Sequence, residues 1–300
     1  MNKRFIIALP LLMIFLCLRQ FDKTYEIEAK KLLNSFYWTI SSEINSFAVK
    51  LPPNLIHDAG AYPTKIYWAY NNELSKSIGL DFSKFLGTEV WIEIYNLNEP
   101  LPEFLKPQFG QKAMGVIIKS EGRIIGAYVH KGRHSSFACS LDRKGLREIT
   151  NKDWDEWIDA YINYDNPIEI MLSKMSPKEV ISTYYGALSK KDIKLSRACF
   201  TRKELCSDLS SNMDNSYLYN ENFPDVNLEN VKSIRIVYLK ELKHLAKINQ
   251  PGEVEYEVKI ETYFTDNVMV LKKRETTGYV ILKRETARGG WRIGGIGTGP

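Results

Sequence analysis

From residue 254 the side chains alternate strictly: Val254, Tyr256, Val258, Ile260 and Phe264 fall on one side of an extended chain, and Glu255, Glu257, Lys259 and Glu261 on the other. A period of two belongs to a strand with one buried face and one wet face. The C-terminal part is therefore expected to be framed by an antiparallel sheet. Ile234, Ile236 and Tyr238 alternate before this run, and Thr277 to Arg284 and Trp291 to Ile296 supply two further strands. The strands are preceded by a helix start signal at Ser176, Pro177, Lys178 and Glu179. There Ser176 accepts from the amide of Glu179, the Glu179 carboxylate reaches back to the amide of Ser176, and proline occupies the first helical position. Val180, Ile181, Tyr184, Ala187 and Leu188 give this helix one apolar face, and a shorter helix is expected over Ile193 to Phe200. Helices first and a meander of long strands afterwards is an α+β layout.

The N-terminal half mixes both periods. Ala29, Leu33, Phe36, Tyr37, Ile40, Ile44 and Phe47 recur at spacings of three and four, which predicts one long amphipathic helix ended by Pro52 and Pro53. A second helix is expected over Asn72 to Ile78, stopped by Gly79, and a short one capped by Asp81. Val90, Ile92 and Ile94 then alternate with Trp91, Glu93 and Tyr95, and GVIIK and RIIGAYVH flank Ser120, Glu121 and Gly122 as a hairpin. Asp142 is expected to cap a helix from Arg143, and Trp154, Trp157 and Tyr161 share a face of a helix over Lys152 to Ile162. Asn166 and Pro167 interrupt the pattern, so two α+β domains are expected, over residues 21–170 and 176–300.

Residues 1–20 stand apart. Lys3 and Arg4 precede an uncharged apolar run from Phe5 to Leu18, and Arg19 follows it. Fourteen residues match a signal-peptide core and fall short of the roughly 20 that a straight spanning helix needs. The expectation is export to the outer face of the cytoplasmic membrane or beyond, with the segment retained as an anchor, lipidated at Cys17, or cleaved. With Lys3, Arg4 and Arg19 set aside, 38 basic residues face 36 acidic ones. Nucleic-acid binding, which needs a concentrated basic face, is not expected. Cys139, Cys199 and Cys206 are an odd set and cannot form a disulfide framework.

The opening SPKEVISTYYGALSKKD and the last strand WRIGGIGTGP resemble the cystatin-like, or nuclear-transport-factor-like, cone fold. Together with YWAYNNELSKSIGLDFSKFLG and FACSLDRKGL, the whole chain resembles uncharacterised exported or lipoprotein-like proteins of Gram-positive bacteria that end in such a domain of unknown function. The resemblance implies a conical pocket between helices and a curved sheet, with Tyr184, Tyr238, Tyr256 and Trp291 lining it or filling it themselves.

Chemistry is sparse. GGIGTGP does not feed a helix N-terminus, so it is not a phosphate loop. His57 and His244 are isolated, and HKGRH at His130 to His134 lacks the glutamate and helical spacing of a zinc enzyme, so no metal and no cofactor are expected. Cys139 beside His130, His134 and nearby cations is the one candidate nucleophile. Lys131, Arg133 and Arg143 are alternatively an anion-binding surface facing lipid headgroups or wall polymers. The inner strand positions hold no acid or histidine, so a catalytic base in the cone would have to come from a loop residue such as Asp225. The expected function is thus a non-catalytic binding or interaction module tethered to the membrane, with an envelope protein or wall polymer as partner. The alternative is an envelope enzyme using the conical pocket or Cys139.

Overall fold

A computed structural model describes residues 27–105, 111–131, 138–211, 228–242, 252–265 and 271–298. The apolar run with Cys17, and also Arg133, His134, Asp225 and His244, lie outside the described residues. The chain combines helices with two four-stranded antiparallel sheets.

The first sheet joins β1 (Ile40–Lys50), β2 (Glu89–Leu97), β3 (Met114–Ser120) and β4 (Arg123–His130) in that order. β3 and β4 form the expected hairpin, turned by Glu121 and Gly122, which both adopt positive φ (48° and 79°). Helix α1, over residues 27–35, covers one face with Ala29 and Leu33 against Tyr95, Ile117, Ala127 and Val129. Helix α2 (Lys65–Lys76) covers the other, packing Ile66, Tyr67 and Leu74 against Ile92, Ile94, Val116, Ile118 and Tyr128.

The long first helix expected from the spacing of three and four is not present. α1 ends where Tyr37 turns to φ 60°, and the chain re-enters as β1. Trp38 anchors the change, its buried indole donating to the carbonyl of Leu141 at 2.7 Å. Ser, Thr and Ile make up much of residues 39–46 and are poor helix formers. Phe47, Val49 and Leu51 also fit a period of two, and tertiary burial selects it. α2 starts seven residues earlier than expected, because Tyr67 and Tyr70 find buried partners: the hydroxyls of Tyr67 and Tyr128 lie 2.9 Å apart, and Tyr70 donates to the carbonyl of Ala138 at 2.8 Å.

After α3 (Leu146–Thr150) and α4 (Trp154–Ile158) comes α5 (Pro167–Ser173). Asn166 and Pro167 were expected to break the pattern, but they start this helix: the Asn166 side chain accepts from the amide of Ile168 at 3.0 Å. α6 (Pro177–Ser189) begins at the capping box, with the Glu179 carboxylate 2.7 Å from the Ser176 amide. α7 (Ile193–Ala198) and α8 (Arg202–Ser211) lead to the second sheet, β5 (Val231–Glu241), β6 (Glu253–Thr265), β7 (Leu271–Arg284) and β8 (Trp291–Gly297), paired in sequence order. Val180, Ile181, Tyr185 and Leu188 of α6 fill the space above Tyr256, Val258, Val280, Leu282 and Ile293. The opposite side of β6 is less wet than its carboxylates imply, since Glu255 and Glu261 are both buried. Glu261 is covered by its own partners: it accepts from Arg235 at 2.9 Å and Tyr263 at 2.9 Å and pairs with Lys273 at 2.5 Å.

The two halves share their interior. Cys206 and Leu209 of α8 belong to the core beneath the first sheet, and Ala59 belongs to the core of the second. Gly60, at φ 75°, lets its loop lie against α7, because a Cβ there would sit 2.0 Å from the carbonyl oxygen of Lys194. At the centre of this junction Glu169 of α5 binds two arginines. Arg292 of β8 donates to Oε1 at 2.8 Å, and Arg202 of α8 donates to Oε2. Glu285 closes the set: its Oε2 accepts from the backbone amide of Arg202 at 2.8 Å and its Oε1 from that of Lys203 at 2.8 Å, capping α8 from a distant loop. A carboxylate is favoured at that position by the two open amides and the helix dipole. All four charged side chains are nearly inaccessible to water.

Removing one member of such a set leaves a buried charge without its partner, which costs about 3–5 kcal/mol. Glu169→Ala is therefore expected to lower the unfolding free energy by about that amount in urea titrations; a loss below about 1 kcal/mol would contradict the assignment. His57 lies beside the junction, its Nδ1 3.5 Å from the Thr64 hydroxyl, and burial together with the charges of Arg202 and Lys65 holds its pKa down to about 3. Unfolding lets the ring take up a proton below its ordinary value of about 6.5. Stability is thus expected to fall as pH drops from 6.5 towards 3, by up to about 1.4 kcal/mol per pH unit from this group. His57→Gln should flatten that slope, and an unchanged slope would refute the cause.

Candidate binding cleft

The junction has an open side. A cleft of about 700 Å³ is lined by Asp153, Trp154 and Asp155 at the start of α4, Lys203 of α8, Gly252 and Glu253 at the start of β6, and Lys283, Arg284, Glu285 and Trp291 around the β7–β8 turn. α4 is placed by a capping box in which the Glu156 carboxylate reaches back to the amide of Asp153 at 3.3 Å. That start angle carries Trp154 to Glu285, whose Oε1 accepts from the indole at 3.1 Å. The ring is further held between Tyr70 and Trp157, at centroid distances of 6.2 and 5.5 Å. Trp291 stands in the cleft under the Arg284 guanidinium, 5.2 Å from its ring centre.

Charges of both signs surround these rings. Burial pushes the Asp155 carboxyl above its usual range and the neighbouring Glu285 carboxylate adds to the shift, while Lys203 and Lys283 pull the other way. Lys283 also faces Glu253 at 3.9 Å. Two indoles beside paired charges suit a polar ligand with flat apolar faces, gripped by stacking and by hydrogen bonds of either sense. No group of three histidine, cysteine, aspartate or glutamate side chains is placed to hold a metal ion among the described residues.

The four aromatic residues expected to line a cone do not gather. Tyr184 packs edge-on against Tyr185 and Phe200, 4.9 and 5.3 Å away. Tyr256 is buried and donates to Glu241 at 3.2 Å. Tyr238 is 42% exposed, because the register slips between Ile236 and Tyr238 and the extra residue, Val237, reverses the alternation. The same slip turns Leu239 and Glu241 inward, so an acid does reach the inner side of the sheet. Only Trp291 of the four meets the cleft. Its partners from the other elements, Trp154, Asp155 and Lys203, lie 88 or more residues away in sequence, and no local pattern connects them to Trp291.

The second cluster is likewise rearranged. Arg143 adopts φ 64°, so the helix expected from it begins at Leu146, and Asp142 bonds the Ser140 hydroxyl without capping a helix. The Arg143 guanidinium lies 4.0 Å from the Trp38 ring centre and donates to the carbonyls of Phe36 and Tyr37 at 3.0 and 3.2 Å, closing the end of α1. Lys131 follows β4 directly, and Arg133 is outside the described residues, so their grouping with Arg143 is not displayed. Cys139 is buried, bridged through its backbone to Val129, and burial pushes its thiol up to about 12 against the opposing pull of Arg143. An activated nucleophile needs the reverse. Cys199 and Cys206 are also buried free thiols.

Two family models match the chain, a domain of unknown function (DUF4830) over residues 32–129 and another (DUF4829) over residues 178–297. No curated protein matches it. Among solved structures, the solution structure of RPA3114, a SEC-C motif containing protein from Rhodopseudomonas palustris, is 13% identical, covering 47% of this chain and 94% of that one with a TM-score of 0.26. So loose a superposition carries no fold assignment. The two matched regions coincide with the parts that carry the two sheets, and no helix among the described residues is long and apolar enough to cross a membrane.

With its thiol held protonated, native Cys139 is expected to resist iodoacetamide at pH 8 and to react only after unfolding. Alkylation of the folded protein at the rate of a free thiol, read by mass spectrometry, would overturn this reading.

Proposed function

We propose that this chain is a non-catalytic binding module displayed outside the cytoplasmic membrane, with the cleft between the halves as its ligand seat. The observation that carries the reading is the pair of indoles, Trp154 and Trp291, fixed by Glu285 and Arg284 at the mouth of the buried ionic junction. Rigid aromatic walls with both signs of charge recognise flat polar ligands such as the sugar and peptide units of a wall polymer. A cystatin-like reading of the C-terminal part is supported by α6 packing its apolar side chains against the antiparallel β5–β8 sheet. The uncharged run from Phe5 to Leu18, between Lys3, Arg4 and Arg19, supports export and tethering. The buried, protonated thiol of Cys139 speaks against an enzyme that uses it.

The full chain is expected to sediment with membranes after cell fractionation, and removal of residues 1–20 should free it with unchanged circular dichroism. A labelled disaccharide-peptide wall fragment should bind the full chain, and Trp291→Ala should weaken it about tenfold or more, a loss of roughly 1.4 kcal/mol. Lys283→Ala, at the rim, tests the same seat with less risk to folding. Affinity unchanged in both folded variants would reject the cleft as the seat.

A further inference from the structure

Among the described residues, the face of the first sheet that α1 covers is covered only in part. α1 reaches Tyr95, Leu97, Ile117 and Val129, and the other end of β2 remains open as a groove of about 600 Å³. We propose that this groove is a second, separate ligand seat, for a small organic cation bearing an ammonium group. It goes beyond the cleft described above and shares no lining residue with it.

Trp91 is the centre of the groove. Its side chain is 46% exposed, an unusual state for the largest apolar residue on a folded sheet. In the ladder it sits between Ala48 of β1 and Lys119 of β3, and the short Ala48 side chain leaves the space beside the indole empty. The floor next to it is already neutral and rigid. Glu93 is buried, with one oxygen 2.6 Å from the Lys119 ammonium and the other accepting from the Tyr95 hydroxyl at 2.8 Å.

What remains at the rim is acidic. Glu43, Glu89 and Glu121 are exposed lining residues, and among the described residues none of them is in an ion pair. Lys50 stands opposite Glu89 in the ladder but does not line the groove or approach within ion-pair distance. An indole face attracts a cation through its quadrupole, and three carboxylates around it add a negative field on a chain whose formal charge is +5. That complementarity selects an ammonium compound over an anion. The volume lies within the range of small-molecule sites, so the occupant is a free solute.

The probe is choline, titrated into the full chain in a non-ionic detergent while the indole N–H resonances are followed by NMR. One indole signal, assigned to Trp91 by its loss in Trp91→Leu, should shift saturably. The double variant Glu89→Gln, Glu121→Gln, both at exposed positions, should keep the fold and weaken the response by about fivefold or more. Choline's uncharged isostere 3,3-dimethylbutanol should leave the signal in place. An unmoved or non-saturating Trp91 signal, equal binding of the neutral isostere, or full affinity in the double variant would each overturn the proposal. So would binding of phosphatidylcholine vesicles through Trp91 without any response to free choline, since the seat would then serve a membrane and not a solute.

Discussion

A carboxylate buried between two guanidinium groups sets the terms for this molecule. Glu169 takes Arg202 on one oxygen and Arg292 on the other, and the three side chains come from α5, α8 and β8. Ions out of water are tolerated only when their partners are held in place, and the penalty for losing one is several kcal/mol. The three elements are therefore locked relative to one another. Glu285 extends the lock by satisfying the first amides of α8, and α8 in turn places Cys206 and Leu209 in the core under the first sheet. Two sheets that have no strand in common are thereby tied into one structure.

The cleft follows from that lock. The carboxylate that caps α8 also accepts the indole of Trp154, so a ring from one half is aimed by a group from the other. Trp291 immediately precedes Arg292 in β8, which fixes its position through the same ion pair. The binding proposed for this cleft does not require a mobile loop or a titrating catalyst. It requires walls that do not move, and the ionic floor supplies them.

The sequence made most strands and the capping box at Ser176 legible, and it left the first strand and the junction hidden. The alternation from Val254 to Phe264, the hairpin at Glu121 and Gly122 and the box at Ser176 are local patterns, readable because one face or one turn dictates the residue types. Residues 36–51 can be read with either period, and the buried Trp38 together with the burial of Phe47, Val49 and Leu51 decides for the strand. Tyr238 was misplaced by a bulge at Val237, an insertion that leaves no mark in composition. The Glu169, Arg202, Glu285 and Arg292 set is built from charges spread over more than a hundred residues, each indistinguishable in sequence from a surface residue. Of the four aromatic residues expected to line a pocket, only Trp291 reached the cleft; Trp154, read from sequence as one of a helical stripe with Trp157 and Tyr161, meets it there from the other half.

Native-state hydrogen exchange tests most directly whether the buried charges make the halves one cooperative unit. The slowest amides of β3 in the first sheet and of β7 in the second should report the same opening free energy and lose it together as urea is added. Two distinct plateaus, with β7 exchanging through an opening that leaves β3 protected, would show that the halves come apart independently and that the junction does not bind them.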